Sequence, residues 1–264
     1  MQFKYVVGIT GGKGGVGKSN IAVNLGSSLA KLGYKPLIID ADINLGNIEL
    51  LLGVESKNNI MDLLSGRCDI DDVLIQASPR LDILPTGIAR NTTVELKSTD
   101  VLSIISHIER SSNNHDVIIV DTSSGVGATV MNMLRLCQDI LVVVCNEPTS
   151  IMDAYSLIKT MNIKLKRNTF SFLASMVNSE QEAKNTYQSL VRVTDNFLDV
   201  NLKYFGHVLR DNFVAKAIKQ QEPYVLKYPE AKASKCILNI TKKIMYRAST
   251  SKGEGTLLRE TNSN

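Results

Sequence analysis

A doubly wound α/β sheet, mostly parallel and flanked by helices in a single domain, is the fold this sequence predicts, on three observations. Short β-rich apolar runs alternate with longer amphipathic segments over most of the 264 residues. Within the short runs the apolar character is continuous, as in parallel strands covered on both faces; a strand with one wet face alternates instead. No Pro/Gly-rich linker and no internal repeat interrupts the strand–helix units, so they build one sheet with helices on both sides.

Taken in order, strands are expected at Tyr5–Thr10, Pro36–Asp40, Leu81–Pro85, Val117–Asp121, Ile140–Cys145, Phe170–Val177 and Tyr204–Leu209. Between them, helical spacing marks Lys18–Leu32, Asp100–Arg110, Gly127–Leu136 and Ser150–Met161, among others. A last helix runs from Ala231 to about Arg247, with Ala233, Ile237, Ile240 and Ile244 on one face and Lys232, Lys235, Lys242, Lys243 and Arg247 around it. Its basic residues suit a solvated face of a core helix, or a peripheral helix that also touches anionic lipid. Residues 1–248 form the expected domain, and the polar, Gly/Ser/Thr-rich residues 249–264 a disordered tail.

Composition narrows the function. Hydrophobic residues at 44% and charged residues at 21% are ordinary for a globular protein. A net charge of +4 lacks the strong basic bias of nucleic-acid binders. No apolar run approaches the roughly 18 to 20 residues that cross a bilayer. Met1–Tyr5 leads straight into the first strand with no signal peptide, so a cytoplasmic location is expected. Cys68, Cys137, Cys145 and Cys236 are scattered as reduced, mostly buried thiols would be. His107, His115 and His207 are isolated and read as packing or surface groups.

One run carries chemistry directly. Gly12-Lys13-Gly14-Gly15-Val16-Gly17-Lys18-Ser19 fits the phosphate-loop pattern and lies where that pattern works, after a strand and before a helix. Glycines let the backbone turn its N–H groups onto phosphate, and the helix amino terminus adds partial positive charge. Lys18 is expected on the β- and γ-phosphates of ATP and the Ser19 hydroxyl on Mg²⁺. Nucleotide contacts are expected across Gly12, Lys13, Gly14, Gly15, Val16, Gly17, Lys18, Ser19 and Asn20. Asp40 and Asp42 close the second strand, and Asp121 ends the run Val117–Val120, so all three face the ligand crevice at strand carboxyl ends. Asp40 and Asp121 join Ser19 as expected metal ligands.

Lys13, a second lysine placed early in the loop, resembles the signature lysine of the deviant Walker A ATPases. Across roughly Tyr5 to Ile244 the sequence is similar to the MinD/ParA group, and within it to the flagellar-number branch known as FlhG or FleN. Asp121-Thr122-Ser123-Ser124-Gly125 is similar to that branch's D-T-A-A-G, and Glu147–Lys159 nearly repeats its E-P-T-S-I-T-D-A-Y-A-L-I-K. Val214–Pro223 resembles its V-x-x-A-x-x-Q-x-P segment. Ser175 stands where the family has an adenine-side Asn, which leaves base recognition to Asn178 or to backbone. Asn44 replaces the glycine after the first-switch aspartate. Gly127-Ala128 replaces a frequent Ser-Asp, which implies a weaker or slower second switch. The stretch before Tyr5 does not resemble the branch's GTPase-stimulating extension.

The resemblance implies an ATPase that dimerises on ATP, with Lys13 of each copy crossing to the partner's nucleotide and Asp42, as the first switch, orienting the attacking water. Lys13, Lys18 and Asp42 are thus the expected catalytic set. It further implies slow hydrolysis and control of flagellar number or placement, through an FlhF-like GTPase and a flagellar transcriptional regulator or basal-body protein. A peripheral position at the inner membrane or cell pole stays open. The alternatives are a MinD-like division-site ATPase and a ParA-like partitioning ATPase. A cluster-carrying relative needs cysteines placed to share an iron–sulfur cluster, and this sequence has no C-x-x-C; a small-molecule kinase stays open, although Lys13 and Asp42 favour hydrolysis and switching.

Overall fold

The computed structural model describes residues 5–43, 46–86, 95–111 and 114–250. Asn44 and residues 251–264 of the expected tail lie outside them. Each half of the chain contributes strands to one eight-stranded sheet. The first half holds β1 (Tyr5–Thr10), β2 (Pro36–Ala41), β3 (Ile75–Ser78), β4 (Leu81–Leu84) and β5 (Val117–Thr122). The second holds β6 (Asp139–Cys145), β7 (Thr169–Val177) and β8 (Asn201–Leu209). Their order is β3-β4-β2-β5-β1-β6-β7-β8, parallel throughout except for the β3–β4 hairpin.

The seven expected strands are all present, with ends moved by up to three residues. Their continuous apolar runs divide between two faces because successive side chains point opposite ways. In β5, Val117 and Ile119 join one core while Ile118 and Val120 join the other. Helices cover both. On one face pack α1 (Lys18–Lys31), α2 (Ile48–Leu52), α9 (Asn212–Gln220), α10 (Tyr224–Lys227) and α11 (Lys232–Thr250). On the other pack α3 (Ile60–Leu64), α4 (Ile70–Val73), α5 (Ser98–Arg110), α6 (Ala128–Arg135), α7 (Pro148–Leu165) and α8 (Glu180–Phe197).

The last helix forms as its spacing predicts, with Ala233, Ile237, Ile240 and Ile244 all buried. Their packing against α1 and β8 leaves that apolar face inside the protein. Lys232, Lys235, Lys242 and Lys243 are exposed, with Lys235 paired to Glu230 at 3.0 Å and Lys243 donating to Phe205 O at 2.6 Å, whereas Arg247 is turned inward. It pairs with Asp139, donates to Ser171 Oγ at 3.1 Å and lies 4.5 Å from the Phe205 ring centroid. Tyr5 and Ser171 also donate to Asp139, at 2.7 and 3.0 Å, so α11 is tied to the starts of β1, β6 and β7.

All four cysteines are free, Cys137 and Cys145 buried and the other two partly exposed. His115 is buried against Asp82 at 2.8 Å, and His207 Nδ1 meets the Tyr204 hydroxyl at 2.9 Å. Both histidines are packing groups, as expected.

Candidate functional site

The chain leaves β1 through α1 to β2 on one side, and leaves β5 through α6 to β6 on the other. The connections diverge around β1, opening a crevice at the strand carboxyl ends. The phosphate loop occupies it. Gly15 and Gly17 adopt φ of 77° and 93°, and α1 begins directly at Lys18. A cleft of about 460 Å³ opens there, lined by Gly14, Gly15, Gly17, Lys18, Ser19, Asn20 and Asp42. That volume is within the range of small-molecule sites.

Lys18 is 8% exposed, and burial lowers its pKa while the Asp121 and Asp42 carboxylates pull it back up. The charge therefore faces acids across the cleft. Asp121 pairs in register with Asp40 on β2. Burial pushes its carboxyl up to about 8, Asp40 adds to the shift, and a Ser19 hydrogen bond and Lys18 oppose it. Its Oδ1 has no hydrogen-bond partner among the described residues. A buried carboxylate oxygen left unpaired beside a hydroxyl is costly unless a cation meets it. Oxygen donors of this kind fit Mg²⁺, so the residues present suit the implied metal.

Asp40 is engaged differently. Its Oδ1 accepts from the Asp42 N–H at 3.1 Å and its Oδ2 from the Ile48 N–H at 3.3 Å. Burial holds its carboxyl near 7 despite those bonds. The Asp121–Gly125 run is anchored to the end of β1 and the residue that follows it. Gly125 N–H donates to Gly11 O at 3.2 Å and the Thr122 hydroxyl to Ile9 O at 3.1 Å. Gly127 caps α6 without a side-chain bond, and Ala128 is its first residue.

Lys13 turns away from the cleft. It pairs with Glu147 and donates to Thr149 Oγ1 at 3.1 Å, both at the start of α7. Gly12 beside it is pressed onto α7, where an added Cβ would lie 2.3 Å from the Asp153 carbonyl carbon. Val16 is buried under the loop. Asn178 is not brought to the cleft: its amide donates to Glu182 at 2.9 Å, at the start of α8. Ser175 Oγ instead lies 3.3 Å from the position a Gly17 Cβ would take.

Five further residues line the cleft: Asn47, Leu50 and Leu51 around α2, Ser124 from the segment after β5, and Ile218 from α9. None has a motif. The apolar run Ile48–Leu52 so soon after Asp42 is the one signal that could have found its share of them.

A family model described as an AAA domain matches residues 4–173. With the fold, the two-lysine loop and the relatives below, the chain belongs to the MinD/ParA-type deviant Walker A ATPases. It is 40% identical over 239 residues to the antiactivator FleN of Pseudomonas aeruginosa, covering 90% of this chain and 85% of that protein. It is 33% identical over 217 residues to the flagellum site-determining protein YlxH of Helicobacter pylori, covering 82% and 73%. The MinD cell division protein of Aquifex aeolicus superposes with a TM-score of 0.75 at 27% identity, covering 92% of this chain and 97% of that one.

Proposed function

We propose that this protein is an Mg²⁺-dependent ATPase that switches by dimerising and thereby sets flagellar number or placement. The observation that carries the reading is the opposed setting of two lysines on one loop. Lys18 is buried facing Asp42 and Asp121, while Lys13 is half-exposed on the outer side, paired with Glu147. The first suits a cis contact to phosphate, the second a contact to another copy.

In this scheme the loop N–H groups and Lys18 bind the triphosphate. Ser19 and Asp121 would hold Mg²⁺, which supplies positive charge to the phosphate oxygens. Asp42 orients water towards the γ-phosphate, a positioning role that needs no strong base. Turnover is slow because the monomer lacks the partner's lysine. In the dimer, Lys13 gives up Glu147 and Thr149 for the partner's nucleotide. Only the ATP-bound pair gains those contacts, so hydrolysis separates it.

The flagellar output rests on the likeness to FleN and YlxH, and a cytoplasmic location, with a peripheral position at the inner membrane or cell pole, belongs to the same reading. An FlhF-like GTPase and a flagellar transcriptional regulator or basal-body protein are the partners this reading names. Electron microscopy of cells carrying Asp42→Ala at the native locus tests it. An altered flagellar count or position is expected. An unchanged count with normal protein levels would move the assignment to the division and partitioning branches.

A further inference from the structure

Asp42 is bonded through the backbone groups on either side of its Cα, the longer contact being the one from Thr86. Its N–H donates to Asp40 Oδ1 at 3.1 Å, and its carbonyl accepts from the Thr86 hydroxyl at 3.5 Å. Thr86 follows β4 and is 2% exposed. On its other oxygen Asp40 accepts from Ile48, the first residue of α2, and it also takes a backbone bond from Asn47. Asp42, Asn47 and Ile48 thus all present backbone N–H groups to one carboxylate. Gly46 fills the remaining space: a Cβ there would lie 3.0 Å from both Asp40 Oδ2 and Thr86 Oγ1. Three groups from two strand ends and one loop meet with no room for a further side chain.

We propose that Asp40 and Thr86 are positioning residues for hydrolysis, fixing the backbone on either side of Asp42 so that its carboxylate is aimed into the cleft. Asp40 acts through the first switch and not as a metal ligand. The contrast with Asp121 supports this assignment. Asp121 keeps an unpaired oxygen beside Ser19, whereas both oxygens of Asp40 already accept N–H bonds. A group that orients water tolerates little displacement, since about 1 Å of misplacement costs on the order of 100-fold in rate. The proposal rests on the ATPase reading above.

Thr86→Val removes the donor at nearly constant shape, Thr86→Ser restores it, and Asp40→Asn removes one acceptor oxygen. Four measurements separate the roles: ATP affinity, the Mg²⁺ requirement of ATP binding, turnover at saturating Mg-ATP, and amide hydrogen exchange of the nucleotide-free protein. Thr86→Val is expected to keep ATP affinity within about twofold while losing roughly 10- to 100-fold in turnover, and Thr86→Ser to recover most of it. In Asp40→Asn without nucleotide, the Asp42 and Ile48 amides should exchange faster, and the Mg²⁺ concentration that half-saturates ATP binding should stay put. Wild-type turnover in Thr86→Val would overturn the proposal. So would an Asp40→Asn protein with unchanged amide exchange and about a tenfold greater Mg²⁺ requirement. If the wild type itself turns over no ATP, the enzyme reading falls and the proposal with it. If it does turn over and Thr86→Val matches it, only the proposal falls.

Discussion

Lys13 and Lys18 lie five positions apart on one loop, and their surroundings treat them oppositely. Burial works against the charge of Lys18, which nearby carboxylates offset in part, whereas the hydrogen bond that Lys13 donates to Glu147 strengthens the charge of Lys13. A cation tied to an exposed carboxylate is held weakly, because solvent screens the attraction. Lys13 can therefore leave Glu147 for a better anion at little cost. Lys13→Ala should keep ATP affinity within a few-fold, since the residue does not line the cleft. Its ATP-dependent dimer should disappear in light scattering with a non-hydrolysable analogue; a normal dimer would remove the cross-copy role. The loop was legible in the sequence because eight consecutive residues carry it and their covalent order fixes which atoms can meet phosphate. Asp42 and Asp121 were legible as strand-end acids. Thr86 and Leu50 were not, and Ile218 was visible only as part of the Val214–Pro223 run with no place at the site: they reach it from a strand end, a five-residue helix and a helix near the carboxyl end, brought there by tertiary packing. Asn178 follows β7 near the phosphate loop, but Glu182 claims its amide, and composition gives no sign of that local competition.

Continuous apolar runs marked seven strands, because burial on both sheet faces is written into each run. β3 escaped notice for the opposite reason. It is a four-residue edge strand, half-exposed, held by an antiparallel hairpin to β4 and bulged between Gln76 and Ser78. The α2, α3 and α4 helices are four or five residues each, too short to show a 3.6-residue period. α8 is longer but polar, and its buried residues are Ala183, Thr186, Leu190 and Thr194, two of them threonines. Helix α11 shows what clear spacing buries. Ile240 is 1% exposed and packs on β8, with its Cγ1 3.2 Å from where a Gly206 Cβ would be. Ile240→Ala should cost about 2 to 5 kcal/mol, because the cavity under a helix tied at Arg247 closes only in part. For a domain of this size each kcal/mol lowers Tm by about 2 to 4 °C. Lys242→Ala, on the exposed side, should stay within about 0.5 kcal/mol. Urea denaturation that gave the two variants equal midpoints would mean that α11 is not part of the cooperative unit.

At the scale of the molecule, charge is unevenly shared. Residues 1–154 carry twelve lysines and arginines against seventeen acids, and residues 155–250 carry sixteen against seven. Sheet order turns this into geometry: β7 and β8, flanked by α8 and α11, lie at one end, and β3 and β4 at the other. The mild net charge therefore hides a basic end, which includes the exposed Lys232, Lys235, Lys242 and Lys243. An anionic surface such as a membrane would be met by that end. It would be met by charge alone, because Ile237, Ile240 and Ile244 are committed to the core and offer nothing to insert. Attraction of this kind is screened over a Debye length of about 10 Å at 0.1 M salt and about 3 Å at 1 M. Any sedimentation with anionic vesicles at low salt should accordingly fade by roughly 0.5 M, in ADP and ATP alike, and Lys242→Glu with Lys243→Glu should weaken it further. Binding that survived high salt would require α11 to give up its buried face. That would show as faster amide exchange along α11 on vesicles, and the helix would then be an inserting element instead of the closing piece of the core.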